Sequence, residues 1–302
     1  MVSELISAKG IMYDKEGGRS DALLAFHEDE RPLGLQLFGE DIDSLVRAAQ
    51  YAATKKPDFI DINCGCPVAK VVTKGAGSAL CRDPRALGII LSQIKKAISI
   101  PLSIKIRTGW DENRNAHEII KYAADAGVSF IAVHGRTRAQ GYQGSADWDY
   151  IGELAAKSPI PIIGNGDIES AQDALHKMHT YNVPAVMIGR GALRRPFIFK
   201  EFEALYHNKP YEQPSYEELL STHARMIEES STHPKTRGRD LLAARKFIAW
   251  YSSGFPGCHA FRASLFAETE PKRIWDMAHT FFTTQKSPLT HEEGPFLMGG
   301  HG

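Results

Sequence analysis

Four cysteines, Cys64, Cys66, Cys81 and Cys258, are too few for 302 residues to depend on the disulfide framework of a small secreted scaffold. None of them forms a Cys-x-x-Cys pair, and Cys64-x-Cys66 has no second pair to complete a zinc site, so no metal is expected. No apolar run approaches the roughly 18 residues of a membrane-spanning helix, so no membrane partner is expected either. Met1-Val2-Ser3-Glu4-Leu5 lacks the basic start and apolar core of a signal peptide, which points to a cytoplasmic protein. Charge of one sign is also missing. The 36 Lys and Arg balance 36 Asp and Glu, which argues against indiscriminate coating of nucleic acid and leaves local basic patches open. A monomer is expected.

What is present is a soluble-protein composition with 43% hydrophobic residues, long enough for one barrel-sized domain plus an appendage. Short β-like runs at 2–7, 33–38, 59–63, 102–106, 130–134, 161–165 and 185–188 alternate with helical patterns at 20–26, 41–54, 83–98, 116–126, 147–157, 170–181 and 196–205. Asp41 is placed to cap a helix whose Ile42, Leu45, Val46 and Ala49 share one face. The alternation predicts an α/β fold, a TIM-type (βα) barrel of about seven strands, incomplete at its N-terminus. Either an eighth strand lies within 11–31, or the chain begins at what is elsewhere a second strand. After about residue 206 the strand signal ends. Helical patterns at 215–231, 238–253 and 272–284 then predict a small all-α domain. The expected division is a barrel over 1–207, a helical domain over 208–286 and a disordered tail over 287–302.

The later strands do not merely stop; each runs into a polar or glycine-rich cluster. Cys66, Lys105, His134, Asn165 and Gly189 all fall at or just past a strand end, which gathers them on the face where βα barrels carry their chemistry. Cys66 sits between Gly65 and Pro67 after an apolar strand. Its local pattern fits a reactive thiol and, equally, a small buried apolar side chain. Asn165-Gly166-Asp167 and Gly189-Arg190-Gly191 follow the last two strands, where glycine turns hold phosphate in such barrels. A phosphorylated cofactor is therefore expected. Lys105 is placed to supply positive charge beside the N1 edge of a reduced flavin, and Gln36 to hydrogen-bond the ring. In the helical region Lys235, Arg237 and Arg239, with Arg245 and Lys246, precede Trp250 and Tyr251. That combination suits an RNA backbone with exposed bases, or equally a solvated helix face with Trp250 in the core.

Several stretches together resemble the tRNA-dihydrouridine synthases, most closely the bacterial B-type enzymes. They are Asn63-x-Gly65-Cys66-Pro67, Ala76-Gly77-Ser78-Ala79-Leu80, Lys105-Ile106-Arg107-Thr108-Gly109-Trp110 and Ile131-Ala132-Val133-His134-Gly135-Arg136-Thr137. Asn165-Gly166-Asp167, Met187-Ile188-Gly189-Arg190 and Arg245-Lys246-Phe247-Ile248-Ala249-Trp250-Tyr251 continue the likeness in the same order, over roughly residues 2–285. The resemblance implies an FMN-containing barrel with a helical tRNA-recognition domain. In such enzymes reduced FMN, regenerated by NADPH, passes hydride to C6 of a uracil, and a cysteine protonates C5. Carried over, Cys66 is the catalytic proton donor and Asn63 contacts the uracil. Gln36, Lys105, His134, Asn165, Gly166, Asp167, Gly189 and Arg190 bind FMN. Arg107, Arg136, Arg138, Lys235, Arg237, Arg239, Arg245 and Lys246 face substrate or tRNA phosphates. The family's first strand, with its Pro-Met turn, and first helix have no counterpart, and Val2-Ser3-Glu4 matches its second strand. Two other readings are an inactive truncated homologue that binds tRNA, and another FMN-barrel pyrimidine oxidoreductase.

Overall fold

A computed structural model describes residues 1–13, 19–215, 218, 220, 221, 240–253 and 255–285. Seven strands, β1 (Ile6–Ser7), β2 (Gly34–Phe38), β3 (Phe59–Cys64), β4 (Leu102–Arg107), β5 (Phe130–His134), β6 (Ile162–Asn165) and β7 (Ala185–Met187), form one parallel sheet. Their order in the sheet is their order in the chain, and helices fill every crossover. That is the TIM-type arrangement. β1 and β7 each have a single neighbour in the sheet.

The main crossover helices start where the sequence supplies a cap. Asp41, Asp83 and Asp147 accept from the backbone N–H groups of Ser44, Ala86 and Tyr150, opening Ile42–Thr54, Pro84–Ala97 and Trp148–Lys157. Pro84 occupies the first turn, where no N–H is needed. Each helix then buries one stripe, Leu45, Ala48, Ala49 and Ala52 in the first and Leu87, Ile90, Leu91 and Ile94 in the second.

Three local expectations change. The strand over 2–7 contracts to Ile6–Ser7, because Ser3 spends its hydroxyl as an acceptor for Gln36 N–H and Val2 makes only an isolated bridge to Gly34. The described part of 11–31 contains helix and no strand, with Ala8–Tyr13 and Arg19–Leu23 linking β1 to β2. The glycine-rich run after Cys66 holds a short helix, Ala69–Val72, and a 3-10 helix, Gly77–Arg82.

The chain divides into two compact units, Met1–Asp167 with His176–Ile188, and Ile168–Leu175 with Gly189–Gly302. In the second, Arg190–Arg194, Ile198–Tyr206, Asp240–Tyr251, Cys258–Ala267 and Pro271–Thr283 are helical. Ile248, Tyr251, Phe255, Leu265, Ile274 and Phe282 make its core, with Phe261 stacked on Phe281 at 4.0 Å between ring centroids. Cys258–Ala267 went unread in the sequence because its apolar residues follow no clear helical period. Most of 215–231 and all of the tail fall outside the described residues. No described helix is long and apolar enough to cross a membrane.

Candidate active site

Alternation along the strands divides the sheet into two chemically opposite faces. Leu35 and Leu37, Ile60 and Ile62, Leu102, Ile104 and Ile106, and Ile131 and Val133 are fully buried on one face. The intervening positions are Gln36, Asp61, Asn63, Ser103, Lys105, Arg107, His134 and Asn165. Strand register lines these up: Gln36 opposite Asp61, Asp61 opposite Ser103, and Asn63 opposite Lys105. At the end of the sheet Arg107 lies opposite His134, His134 opposite Asn165, and Asn165 opposite Met187. The first unit thus brings together Gln36, Asn63, Lys105, His134 and Asn165 on the polar face, with Cys66 two residues beyond β3.

The loop bearing Cys66 is fixed from several sides. Asn63 Oδ1 accepts from the N–H groups of Gly65 (3.2 Å) and Cys66 (2.9 Å). Arg107 Nε donates to Gly65 O at 2.9 Å, and Ser78 N–H donates to Cys66 O at 3.1 Å. Gly77 makes that last approach possible. Its φ is +59°, and a Cβ there would lie 2.8 Å from Cys66 O. Cys66 itself is half-buried, whereas Cys64 and Cys81 are buried. Burial pushes the Cys64 thiol well up and that of Cys81 to about 12, and Cys81 Sγ donates to Cys64 O at 3.0 Å. These two thiols stay protonated and inert.

Behind the loop runs a chain of buried polar groups. Ser103 Oγ and Gln36 Nε2 donate to the two carboxylate oxygens of Asp61 at 2.5 and 2.7 Å, and Asn63 Nδ2 donates to Gln36 Oε1 at 2.8 Å. The acceptor-only carboxylate sets Gln36, Gln36 sets Asn63, and Asn63 presents its oxygen to the cysteine loop. Burial pushes the Asp61 carboxyl up, opposed by these hydrogen bonds and by the charge of Lys105. Lys105 is half-buried at the level of the whole residue, but its amine is desolvated. Burial, reinforced by Arg107, lowers its pKa from 10.5 to about 7, with Asp61 opposing. Among the described residues no protein group hydrogen-bonds its Nζ.

Arg107 and Arg136 are placed differently from the expectation that they face phosphate. Both are buried, and their guanidiniums cross-link loops. Arg107 Nη1 donates to Thr137 O (2.9 Å) and Gly141 O (2.7 Å). Arg136 makes a two-pronged pair with Asp167, both contacts 2.7 Å, and also donates to Gly144 O. Asp167 accepts from Ala146 N–H at 2.7 Å and holds a left-handed φ of +48° beside Gly166 at +133°. The carboxylate of Asp167 therefore organises its own turn. His134 is buried, its Nε2 3.4 Å from Arg136 Nη1, and Asn165 Nδ2 donates to Met187 O at 2.7 Å. Arg138 is half-buried, its guanidinium 4.6 Å from the centroid of the Trp110 ring.

In the second unit Gly189 is exposed and starts the helix Arg190–Arg194, with Arg190 half-buried in its first turn. Arg245 donates to Phe266 O at 3.3 Å, while Lys246 is exposed with Nζ 5.8 Å from the centroid of Trp250. Lys235, Arg237 and Arg239 lie outside the described residues. Sequence reasoning passed over Asp61 and Ser103. Their signal was there in part, since Asp61 interrupts Ile60 and Ile62 on an otherwise apolar strand. No group of three or more metal-ligating side chains occurs among the described residues.

A parallel βα sheet that presents a half-buried thiol, two oriented carboxamides and a desolvated amine at its strand ends is the catalytic edge of a barrel enzyme. The dihydrouridine synthase (Dus) family model matches residues 1–286. The chain is 37% identical over 282 residues to tRNA-dihydrouridine synthase B of Pasteurella multocida, covering 93% of this chain and 84% of that protein. It is 35% identical over 300 residues to tRNA-dihydrouridine synthase B of Pseudomonas putida, covering 97% and 87%. Against the probable tRNA-dihydrouridine synthase 1 of Synechocystis it is 35% identical over 259 residues, covering 85% and 72%. The chain belongs to the dihydrouridine synthase family, a family of flavin-dependent oxidoreductases.

Proposed function

We propose that this chain reduces the C5–C6 double bond of uridines in tRNA, with FMN as its flavin, NADPH as reductant and Cys66 as proton donor, in the cytoplasm where tRNA is processed. The observation that carries this reading is the cysteine loop held by Asn63, directly across the sheet from Lys105. A flavin suits these residues because the Lys105 amine is desolvated and lacks a protein acceptor, so an anionic ring edge or phosphate would satisfy it. Gln36, His134, Asn165, Gly166 and Asp167 would line the same cofactor, and Gly189 and Arg190 would contribute donors to its phosphate. When bound, reduced FMN supplies the hydride for C6 of the uracil.

The chain's own residues do the rest. Cys66 holds a proton on a half-buried sulfur and releases it to C5, since a thiol is acidic enough to donate yet carries its proton near neutral pH. Asn63, besides any contact with the base, keeps the sulfur in place through the backbone of its loop. Arg107 and Arg136 hold the surrounding loops, and Arg138, Arg245 and Lys246, with Lys235, Arg237 and Arg239, would meet tRNA. The target base must leave its stack, a cost of about a few kcal/mol that RNA contacts offset. Cys66→Ala is the test. The variant should keep its flavin and oxidise NADPH at the wild-type rate, while turnover on unmodified tRNA falls by about a hundredfold or more. Normal turnover would remove Cys66 from the mechanism.

A further inference from the structure

Outside the row of residues above, Arg82, Trp110 and Arg138 form a cluster that no step of the proposed reaction uses. The guanidinium carbons of Arg82 and Arg138 lie over the same indole, 3.5 and 4.6 Å from its centroid. The three residues come from three successive loops on the cysteine's edge of the sheet. Arg82 closes the 3-10 helix after β3, Trp110 follows β4, and Arg138 follows β5.

The loops are tied together before any ligand arrives. Thr108 N–H donates to Arg136 O (3.2 Å), Arg138 N–H to Gly109 O (2.9 Å) and Ala139 N–H to Trp110 O (2.9 Å). Asn115 Nδ2 donates to Cys81 O at 2.7 Å, joining the loop after β4 to the end of the 3-10 helix. Arg82 is exposed and Arg138 half-buried, and neither makes an ion pair among the described residues. The acidic side chains nearest in sequence serve elsewhere or point to solvent. Asp83 accepts from Ala86 N–H, Asp111 accepts from Asn113 N–H, and Glu112 is exposed.

Two like charges over one ring repel each other, and an anion received by both relieves that repulsion. Stacking occupies the flat faces of the guanidiniums and leaves their N–H edges for a fork-shaped contact with phosphate. The indole, covered by cations, supports them and does not serve as a stacking platform for a base.

We propose that Arg82, Trp110 and Arg138 form a docking point for a backbone phosphate of the tRNA substrate. The proposal rests on the tRNA reading above and adds Arg82 and Trp110 to it. The test measures binding of an unmodified tRNA transcript to the full chain across a range of salt concentrations, for wild type and for Arg82→Gln/Arg138→Gln. The double variant should bind about tenfold more weakly at low salt, and its salt slope should be shallower by about two, one per lost phosphate contact. Its flavin content should match wild type. Arg82→Lys/Arg138→Lys, which keeps the charge, should recover most of the slope and guards against a folding defect. Unchanged affinity and slope in the glutamine variant would overturn the proposal. So would a raised KM for NADPH with unchanged tRNA binding, which would make the cluster a nucleotide-phosphate site. If wild type reduces tRNA uridines while the glutamine variant binds as tightly, only the cluster proposal falls. If wild type neither binds nor reduces tRNA, the broader reading falls with it.

Discussion

The two faces of β3, β4 and β5 are built from the same short stretches of chain and do opposite work. On one, Ile60, Ile62, Ile104, Ile106, Ile131 and Val133 are fully buried, and their contribution is apolar area removed from water. On the other, Asp61, Asn63, Ser103 and Lys105 stand at alternate positions, and their contribution is orientation. Residues one apart in sequence thus answer to different selection: Ile62 to stability, Asn63 to geometry. Burial alone does not separate them, since Asp61 and Ser103 are as hidden as their apolar neighbours. The difference is that each polar group on the second face is satisfied by a named partner.

Substitutions on the two faces should part company in what they damage. The largest stability effect is expected from Ile104→Ala, a truncation of a fully buried side chain in a central strand. It should cost about 2–5 kcal/mol in denaturant unfolding. The protein that remains folded should keep its flavin and its turnover, and a variant that loses flavin while staying folded would break the division. Asn63→Ala comes next, at about 1–3 kcal/mol, because it strands the N–H groups of Gly65 and Cys66. Here turnover should fall out of proportion to stability, and Cys66 should alkylate at an altered rate. An unchanged alkylation rate would show that the loop keeps its shape without Asn63.

The smallest effect is expected from Lys105→Met and lies in pH dependence. The folded amine titrates near 7, below its ordinary 10.5, so the unfolded chain binds more protons between those values. Wild-type stability without cofactor should therefore rise relative to the variant from about pH 7 to pH 10.5, with the variant's advantage greatest at and below pH 7. Parallel stability curves for the two proteins would mean that the amine is not desolvated.

Much of this site was legible because a strand's period of two is simple. Lys105, His134 and Asn165 stand out as polar residues at the ends of apolar runs, and the parallel register then aligns them. The fates of Arg107 and Arg136 were not legible. Their guanidiniums bind the carbonyls of Thr137, Gly141, Gln143 and Gly144, and only the fold brings those within reach. The same holds for Asp61, whose partners Gln36 and Ser103 are 25 and 42 residues away in the chain. The first strand was overread for a related reason. Residues 2–5 have strand-like composition, but the hydroxyl of Ser3 takes up the Gln36 N–H in place of a ladder bond.

Arg107 has one more implication. Its single guanidinium grips Gly65 O in the loop after β3, and Thr137 O and Gly141 O in the loop after β5. These loops are far apart in sequence and yet share one clasp. In recombination between homologues, natural or engineered, they form one indivisible cassette: a graft of the cysteine loop is complete only when Arg107 and the 137–141 segment travel with it.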